Sequence, residues 1–319
     1  WIPMQNNSCS YLNFVRQGLR LARALPIRFS KYSNKVYNNH QKMVLLVLKQ
    51  KSKNTYRGII DFLVITPSIR LLLGLRNIPH HTTLVKFAKK LNKKILSLLF
   101  AEKNASIVAV DATGFENEAK SFYYYTRWNS DRKQKMREYT KLSIAVDAEK
   151  QLILSYHIRR KLRHDTVDFK QLLEELDIDY VVADKGYDSK ANRNYVLCKK
   201  RAIPIIPVRN HRNFYGYLRG CRKIDGRRYH QRSKVETVFS VLKRKYGSVL
   251  RSRSFAGQQV ELICKLVAYN LDRAARLYSL LIRGFQQSQC KKALKRSFPR
   301  SFYDHSRYWS SRLVRQQTC

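Results

Sequence analysis

Acid is the scarce commodity in this chain. Its 319 residues include 22 Asp and Glu against 64 Lys and Arg, a formal charge of +42. Long apolar runs are missing as well. None reaches the roughly 18 residues needed to cross a membrane, and the longest, such as Met43–Lys49, are the size of core segments. The first apolar run lacks a charged leader and a small-residue cleavage site, so no secretory signal is expected. The six cysteines, Cys9, Cys198, Cys221, Cys264, Cys290 and Cys319, fall at scattered spacings. That excludes a zinc finger and argues against a disulfide framework, which points to a reduced, intracellular setting. What is present excludes a disordered basic tail: 44% of residues are hydrophobic and 12% aromatic, enough to bury a core. A folded chain this cationic calls for a polyanionic partner.

The acids are unevenly placed. Residues 1–100 carry 18 Lys and Arg and one acid, Asp61; residues 101–200 carry 19 against 16; residues 201–319 carry 27 against 5. A carboxylate-bearing middle between two cationic flanks suits a central site with phosphate-holding surfaces on either side. In the first flank, residues 11–25 and 40–50 have helical apolar spacing. After breaks at Gly74 and at 77–79, Thr82 or Thr83 is positioned to cap a helix over 84–100. That helix would put Leu84, Phe87, Leu91, Ile95 and Leu98 on one side and Lys86, Lys89, Lys90, Lys93 and Lys94 on the other. A short helix, a turn and a basic amphipathic helix resemble a helix-turn-helix DNA-binding unit; a helical bundle with a solvated lysine face has the same pattern.

From residue 105 the period changes. A buried strand is expected at 106–115, then two strands turning near 148–150, and a helix over 165–176 capped by Asp165. A strand at 180–184 should follow, then a helix capped by Ser189, a short strand at 202–209, and helices over 232–246 and 257–284. Strands in a run, then strands alternating with helices, predict a mixed α/β sheet.

Three acids stand out against this background. Asp111 interrupts an apolar strand, and Asp184 closes another. A lone Asp there is costly unless something pairs with it, and strand ends are where α/β sheets bind ligands. Glu236 is the only acid between Asp225 and Glu261. At about 100° per residue, Arg232, Lys243 and Tyr229 share a stripe with Glu236. Val235, Val238, Phe239, Leu242 and Tyr246 cover the neighbouring arc. Glu236 is therefore expected at the border of the buried face, turned toward the sheet.

The stretches "VDATGF", "ADKGYDS" and "YHQRSKVETVFSVLK" resemble the first-Asp, second-Asp and Glu motifs of the DDE transposases of prokaryotic insertion sequences. The last is similar to the Y-x2-R-x3-E-x6-K signature of the insertion-sequence four/five superfamily at Tyr229, Arg232, Glu236 and Lys243. The 52 residues from Asp184 to Glu236 leave no room for a large β-rich insertion, as in the compact members. The resemblance covers roughly residues 40–275. It implies a ribonuclease-H-like fold in which Asp111, Asp184 and Glu236 are catalytic and bind two Mg²⁺ or Mn²⁺ ions. It implies that Tyr229, Arg232 and Lys243 hold DNA phosphates. Double-stranded DNA, at the terminal inverted repeats and the target, is the implied partner of a homodimer in a prokaryotic cytoplasm, with no membrane involved.

The domain organisation expected is an N-terminal helical DNA-binding domain at 1–103, with Lys86, Lys89, Lys90 and Lys93 toward DNA. A ribonuclease-H-like catalytic domain at 104–286 and a basic, loosely ordered tail at 287–319 would follow. Two other functions fit the same residues: a nuclease of this fold without strand transfer, and a decayed, non-enzymatic DNA-binding repressor. Taken singly, each acid also has a structural role open to it. Asp111 or Asp184 can serve as a turn or cap residue, Glu236 as an ion-pair partner of Arg232 or Lys243, and Asp188 as a helix-start residue.

Overall fold

A computed structural model of the chain describes residues 10–33, 35–100, 102–117, 139–160, 163–208 and 225–297. Six helices come first: α1 (Ser10–Ala22), α2 (Asn39–Lys51), α3 (Gly58–Ile65), α4 (Pro67–Leu73), α5 (His81–Lys90) and α6 (Lys93–Ser97). A sheet follows, with β1 (Asn104–Asn117), β2 (Tyr139–Asp147), β3 (Ile153–Arg159), β4 (Asp177–Ala183), β5 (Ile203–Ile205) and β6 (Val249–Leu250). Its helices are α7 (Thr166–Leu173), α8 (Lys190–Asn194), α9 (Gly226–Tyr229), α10 (Ser233–Tyr246) and α11 (Phe255–Ser297).

Strand order is β3-β2-β1-β4-β5, with β6 added to β1. β1 runs antiparallel to β2 and parallel to β4, and β5 runs parallel to β4. A three-strand antiparallel meander continued by parallel strands, with helices on both faces, is the ribonuclease-H-like arrangement expected from the sequence. β2 is buried at every position from Thr140 to Asp147, because helices cover both of its faces. Alternation along β1 divides two cores. Ala109 and Phe115 join the helices α1–α6, α10 and α11, while Val108 and Val110 join α7.

One core runs without interruption from Phe14 in α1 through the sheet to Leu271 in α11. Correspondingly, residues 1–273 form one compact unit, and 274–319 form another. Among the described residues, packing is continuous across residue 103. The centre of this core is α2, started by a reciprocal capping box between Asn38 and Gln41 and buried at every residue from Met43 to Gln50. Even Lys49 is enclosed, its ammonium 4.6 Å from the Tyr56 ring centre, and burial lowers its pKa. Asp272 of α11 ties this helix to the rest: it accepts from Lys51 at 2.6 Å, from the Tyr246 hydroxyl at 2.6 Å, and from Lys245.

The single helix expected over 84–100 is two. Leu91 and Asn92 are extended, and Asn92 caps α6 by accepting from the Ile95 N–H at 2.8 Å. An Asn that satisfies the free donors of a new helix competes with helix continuation. The break changes the phase, so Leu96 and Leu99 are buried while Leu98 is 48% exposed. The cap preceding α5 is His80 rather than Thr82 or Thr83. The break at Gly74 is as expected: it takes a left-handed conformation, φ 64°, and ends α4. The last helix also runs further than its pattern suggested, through Ser297. Its sequence there, 285–297, is rich in Gln and Lys, which are good helix formers, and holds no proline. The remainder of the expected tail, 298–319, lies outside the described residues.

Candidate active site

Asp111 sits halfway along β1, one residue past the last pairing with β4, Val110 with Ala183, and opposite Ile144 of β2. Its side chain is half-buried, and one carboxylate oxygen accepts the Ala112 N–H at 2.8 Å. Burial pushes the carboxyl up to about 6, against the pull of that hydrogen bond and of the Arg232 guanidinium. The negative charges of Asp184 and Glu236 raise it further. The fold thus brings the three acids singled out by sequence into one electrostatic neighbourhood, although they lie on three separate elements.

Asp184 is the first residue beyond β4, and it is exposed. Its carbonyl accepts the Tyr187 N–H at 2.9 Å, which turns Lys185–Tyr187 into a 3₁₀ turn at the strand end. Glu236 lies in the first turn of α10, where its carboxylate pairs with Arg232 at 2.7 Å. The buried set expected for this helix, Val235, Val238, Phe239, Leu242 and Tyr246, is buried throughout. Glu236 itself is not tucked against the sheet: its side chain is 51% exposed. The shared stripe is also interrupted, because α9 ends at Tyr229 and a 3₁₀ turn, His230–Arg232, separates it from α10. Tyr229 is half-buried. Lys243 places its ammonium 5.5 Å from the ring centre of Phe115, on β1. Lys86, Lys89, Lys90 and Lys93 are all exposed, and Lys90 and Arg28 crowd Lys42, whose pKa is lowered first by burial and then by these two charges.

Several neighbouring polar residues have structural roles. Asp188 is bonded to Arg193 at 2.9 Å, with both side chains nearly enclosed. Ser189 caps α8 as expected, accepting the Asn192 N–H at 3.1 Å. Asp165 does not cap α7 with its side chain; it is held by Lys141 of β2 instead. A partner 24 residues away is invisible to a local capping rule. Asp168, fully buried, is held by Arg159, by His157 at 3.3 Å and by the Ser143 hydroxyl at 3.1 Å. Sequence reasoning passed over Tyr187, which has no exposed surface and whose hydroxyl has no hydrogen-bond partner among the described residues. Burial raises its pKa most, followed by the charges of Asp165, Asp111, Asp168 and Asp184. The only local signal was its place in the "KGY" stretch directly after Asp184.

These residues suit a hard divalent cation in kind. All three donors are carboxylates, and Asp111 is partly desolvated with two other anions near it. They do not form a closed cage: among the described residues no three His, Cys, Asp or Glu stand close enough to enclose one ion. Open positions are what a site for phosphate and water requires.

The sequence of residues 102–271, more than half of the chain and inclusive of all three acids, matches the family described as the transposase DDE domain. The chain belongs to that family of transposases. Among solved structures it is similar to a piggyBac transposase in a cryo-EM synaptic complex with hairpin DNA. The identity is 10% and the TM-score 0.46, over 85% of this chain and 75% of that one. No curated protein matches the sequence. Among the described residues, no helix is long and apolar enough to cross a membrane.

Proposed function

We propose that this transposase binds the ends of a prokaryotic insertion sequence of the compact four/five type, cleaves DNA strands there, and joins the 3′-hydroxyl ends to target DNA. The observation that carries the reading is Asp111. It is a half-buried carboxylate halfway along β1, one residue past the last pairing with β4, within electrostatic reach of two more carboxylates, with its ionised form disfavoured until a cation arrives. Asp111, Asp184 and Glu236 would hold two Mg²⁺ or Mn²⁺ ions. Such ions, when bound, stabilise the attacking and leaving oxygens of an in-line phosphoryl displacement.

The chain's own residues supply position. β1 and the end of β4 are hydrogen-bonded neighbours, so Asp111 and Asp184 keep a fixed separation. Glu236 approaches from α10 across the same sheet edge. Arg232, on Glu236 at 2.7 Å, stands beside the carboxylates, where its planar fork suits a phosphate oxygen pair. Lys243, steadied over Phe115, offers a point charge, and Tyr229 a hydroxyl. The exposed Lys86, Lys89, Lys90 and Lys93 of α5 and α6 would take duplex phosphates further out. We assign DNA docking to the helices before β1, catalysis to the sheet with α10, and synapsis to a homodimer in the cytoplasm.

Two assays test this. Asp184→Asn should abolish nicking of a terminal-repeat duplex in Mg²⁺ while leaving metal-free DNA binding intact. Pre-cut ends supplied to the parent protein should be joined to a plasmid. Nicking without joining would reduce the activity to that of a nuclease, and neither reaction in the parent would leave a DNA-binding protein.

A further inference from the structure

Residues 247–252 carry the chain from the end of α10 into β6. Gly247 closes α10 with φ 89°, and β6 is a two-residue strand that pairs with β1 at Glu116 and Asn117. Side chains of α11 hold the backbone of this segment. Lys265, 2% exposed, donates to the Gly247 carbonyl at 2.9 Å and to the Val249 carbonyl at 2.8 Å. Glu261, one turn earlier, accepts the Arg251 N–H at 3.2 Å, the Ser252 N–H at 3.0 Å and the Ser252 hydroxyl at 2.8 Å. Gln258 donates to the Ser252 carbonyl at 3.1 Å and accepts the Thr140 hydroxyl of β2 at 3.1 Å. The three are all buried and recur at helical spacing, so they form one polar stripe on the inner face of α11.

Stability alone is a poor reason for such a stripe. Lys265 and Glu261 stand 4.0 Å apart, and burial pushes the Lys265 ammonium down to about 8 despite the charge of Glu261. An apolar pair of similar volume would stabilise a buried helix face at least as well. What the polar pair supplies is direction, because each backbone group it binds fixes where 247–252 lies against α11. The Lys265 ammonium also sits 5.6 Å from the ring centre of Phe115 on β1, and Lys243 of α10 sits 5.5 Å from the same ring. Three elements, α10, α11 and β1, are thus tied together where β6 joins the sheet.

Two of these elements carry acids of the site. Asp111 is on β1, the strand that receives β6. Glu236 lies 11 residues before Gly247 on α10, about 16 Å along a helix at roughly 1.5 Å per residue. A tilt of about 10° at the anchor would swing its carboxylate by about 3 Å over that length. A misplacement of about 1 Å can already cost on the order of a hundredfold in rate.

We propose that Lys265 and Glu261 are positioning residues for the reaction: by holding 247–252 to β1 they set where α10 presents Glu236 to Asp111. The proposal rests on the reading of Glu236 as a metal ligand given above.

The test is the paired replacement of Lys265→Met and Glu261→Leu in the full chain. It removes the polar anchors at nearly constant volume, so the melting temperature without metal should stay near the parent's. Mn²⁺ is then titrated against melting temperature. The concentration giving half the maximal rise should increase by about 10- to 100-fold, and nicking at saturating DNA should slow by a similar factor. Metal-free affinity for duplex DNA should match the parent's. Leu172→Ala, in the core under α7, is the control: it should melt lower yet keep the parent's Mn²⁺ midpoint. Glu261→Gln, which keeps the shape and one acceptor, carries the test should the paired variant fail to fold, and should raise the midpoint several-fold. A parent-like midpoint in the paired variant, or in Glu261→Gln where it alone folds, overturns the proposal. So does an equal rise in Leu172→Ala, which would trace the effect to lost stability. Glu236→Gln separates the two readings. If it keeps the parent's response to Mn²⁺, the metal-ligand reading falls and the positioning role with it. If it loses that response while the paired variant keeps it, only the positioning role falls.

Discussion

Replacing Asp111 by Asn should stabilise the metal-free protein near neutral pH while destroying its activity, and the size of the effect follows from burial. In the folded chain the carboxyl is pushed from an ordinary 3.8 up to about 6. Ionising it there costs on the order of 3 kcal/mol relative to the unfolded chain. The sign is that of an acid whose folded pKa is raised. Below about pH 4 both states are protonated and the residue is neutral in its effect. Between about 4 and 6 the unfolded chain ionises first, and stability falls. Above about 6 the whole cost is present. Asn removes the charge at nearly constant shape, so the variant should match the parent near pH 4. It should melt about 6–12 °C higher at pH 8, taking roughly 2–4 °C per kcal/mol for a unit of this size. Divalent cation should reverse the order. Mn²⁺ or Mg²⁺ should raise the parent's melting temperature by mass action and leave the variant nearly unchanged. The assay is thermal unfolding of both proteins at pH 4 and 8, with and without Mn²⁺. A variant that melts lower than the parent at pH 8 without metal, or that gains as much from Mn²⁺, would refute the argument that Asp111 is an unneutralised charge awaiting a cation.

Other outcomes follow from the same geometry. Glu236→Gln should cut nicking by about a hundredfold or more if the acid is a metal ligand, yet change stability by less than about 1 kcal/mol, because its pair with Arg232 is exposed; near-normal nicking would make Glu236 only an ion-pair partner. Tyr187→Phe should raise stability by about 1 kcal/mol or more in thermal melts, since it deletes a buried hydroxyl with no partner among the described residues; a fall in stability would mean that the hydroxyl is satisfied. Asp272→Ala should cost about 3 kcal/mol or more, because it removes the carboxylate that Lys51 and Lys245 share at a largely buried position. Its unfolding should remain a single transition over residues 1–273; separate melting of the first hundred residues would contradict the shared core.

Much of this was legible in one dimension because its causes are local. The strands around Asp111 and Asp184, the hairpin at 148–150 and the five buried positions of α10 follow from period and composition, and the helix starts at Ser189 and stops at Gly74 follow from capping chemistry. The three acids were conspicuous because each breaks a local rule: one polar residue within an apolar strand, one closing another, and one acid in a basic helix. Tertiary structure decided what local rules do not reach. Asn92 split a helix whose apolar spacing looked continuous, and the new phase exposed Leu98. Asp165 left its cap for Lys141, and Asp272 met Lys51 across 221 residues of chain. The enclosure of α2, lysine included, depends on α1, α5, α10 and α11 arriving from both ends of the sequence. Spacing along the chain fixes which residues share a face; what that face meets is set by distant segments, and so was the burial that perturbs Asp111.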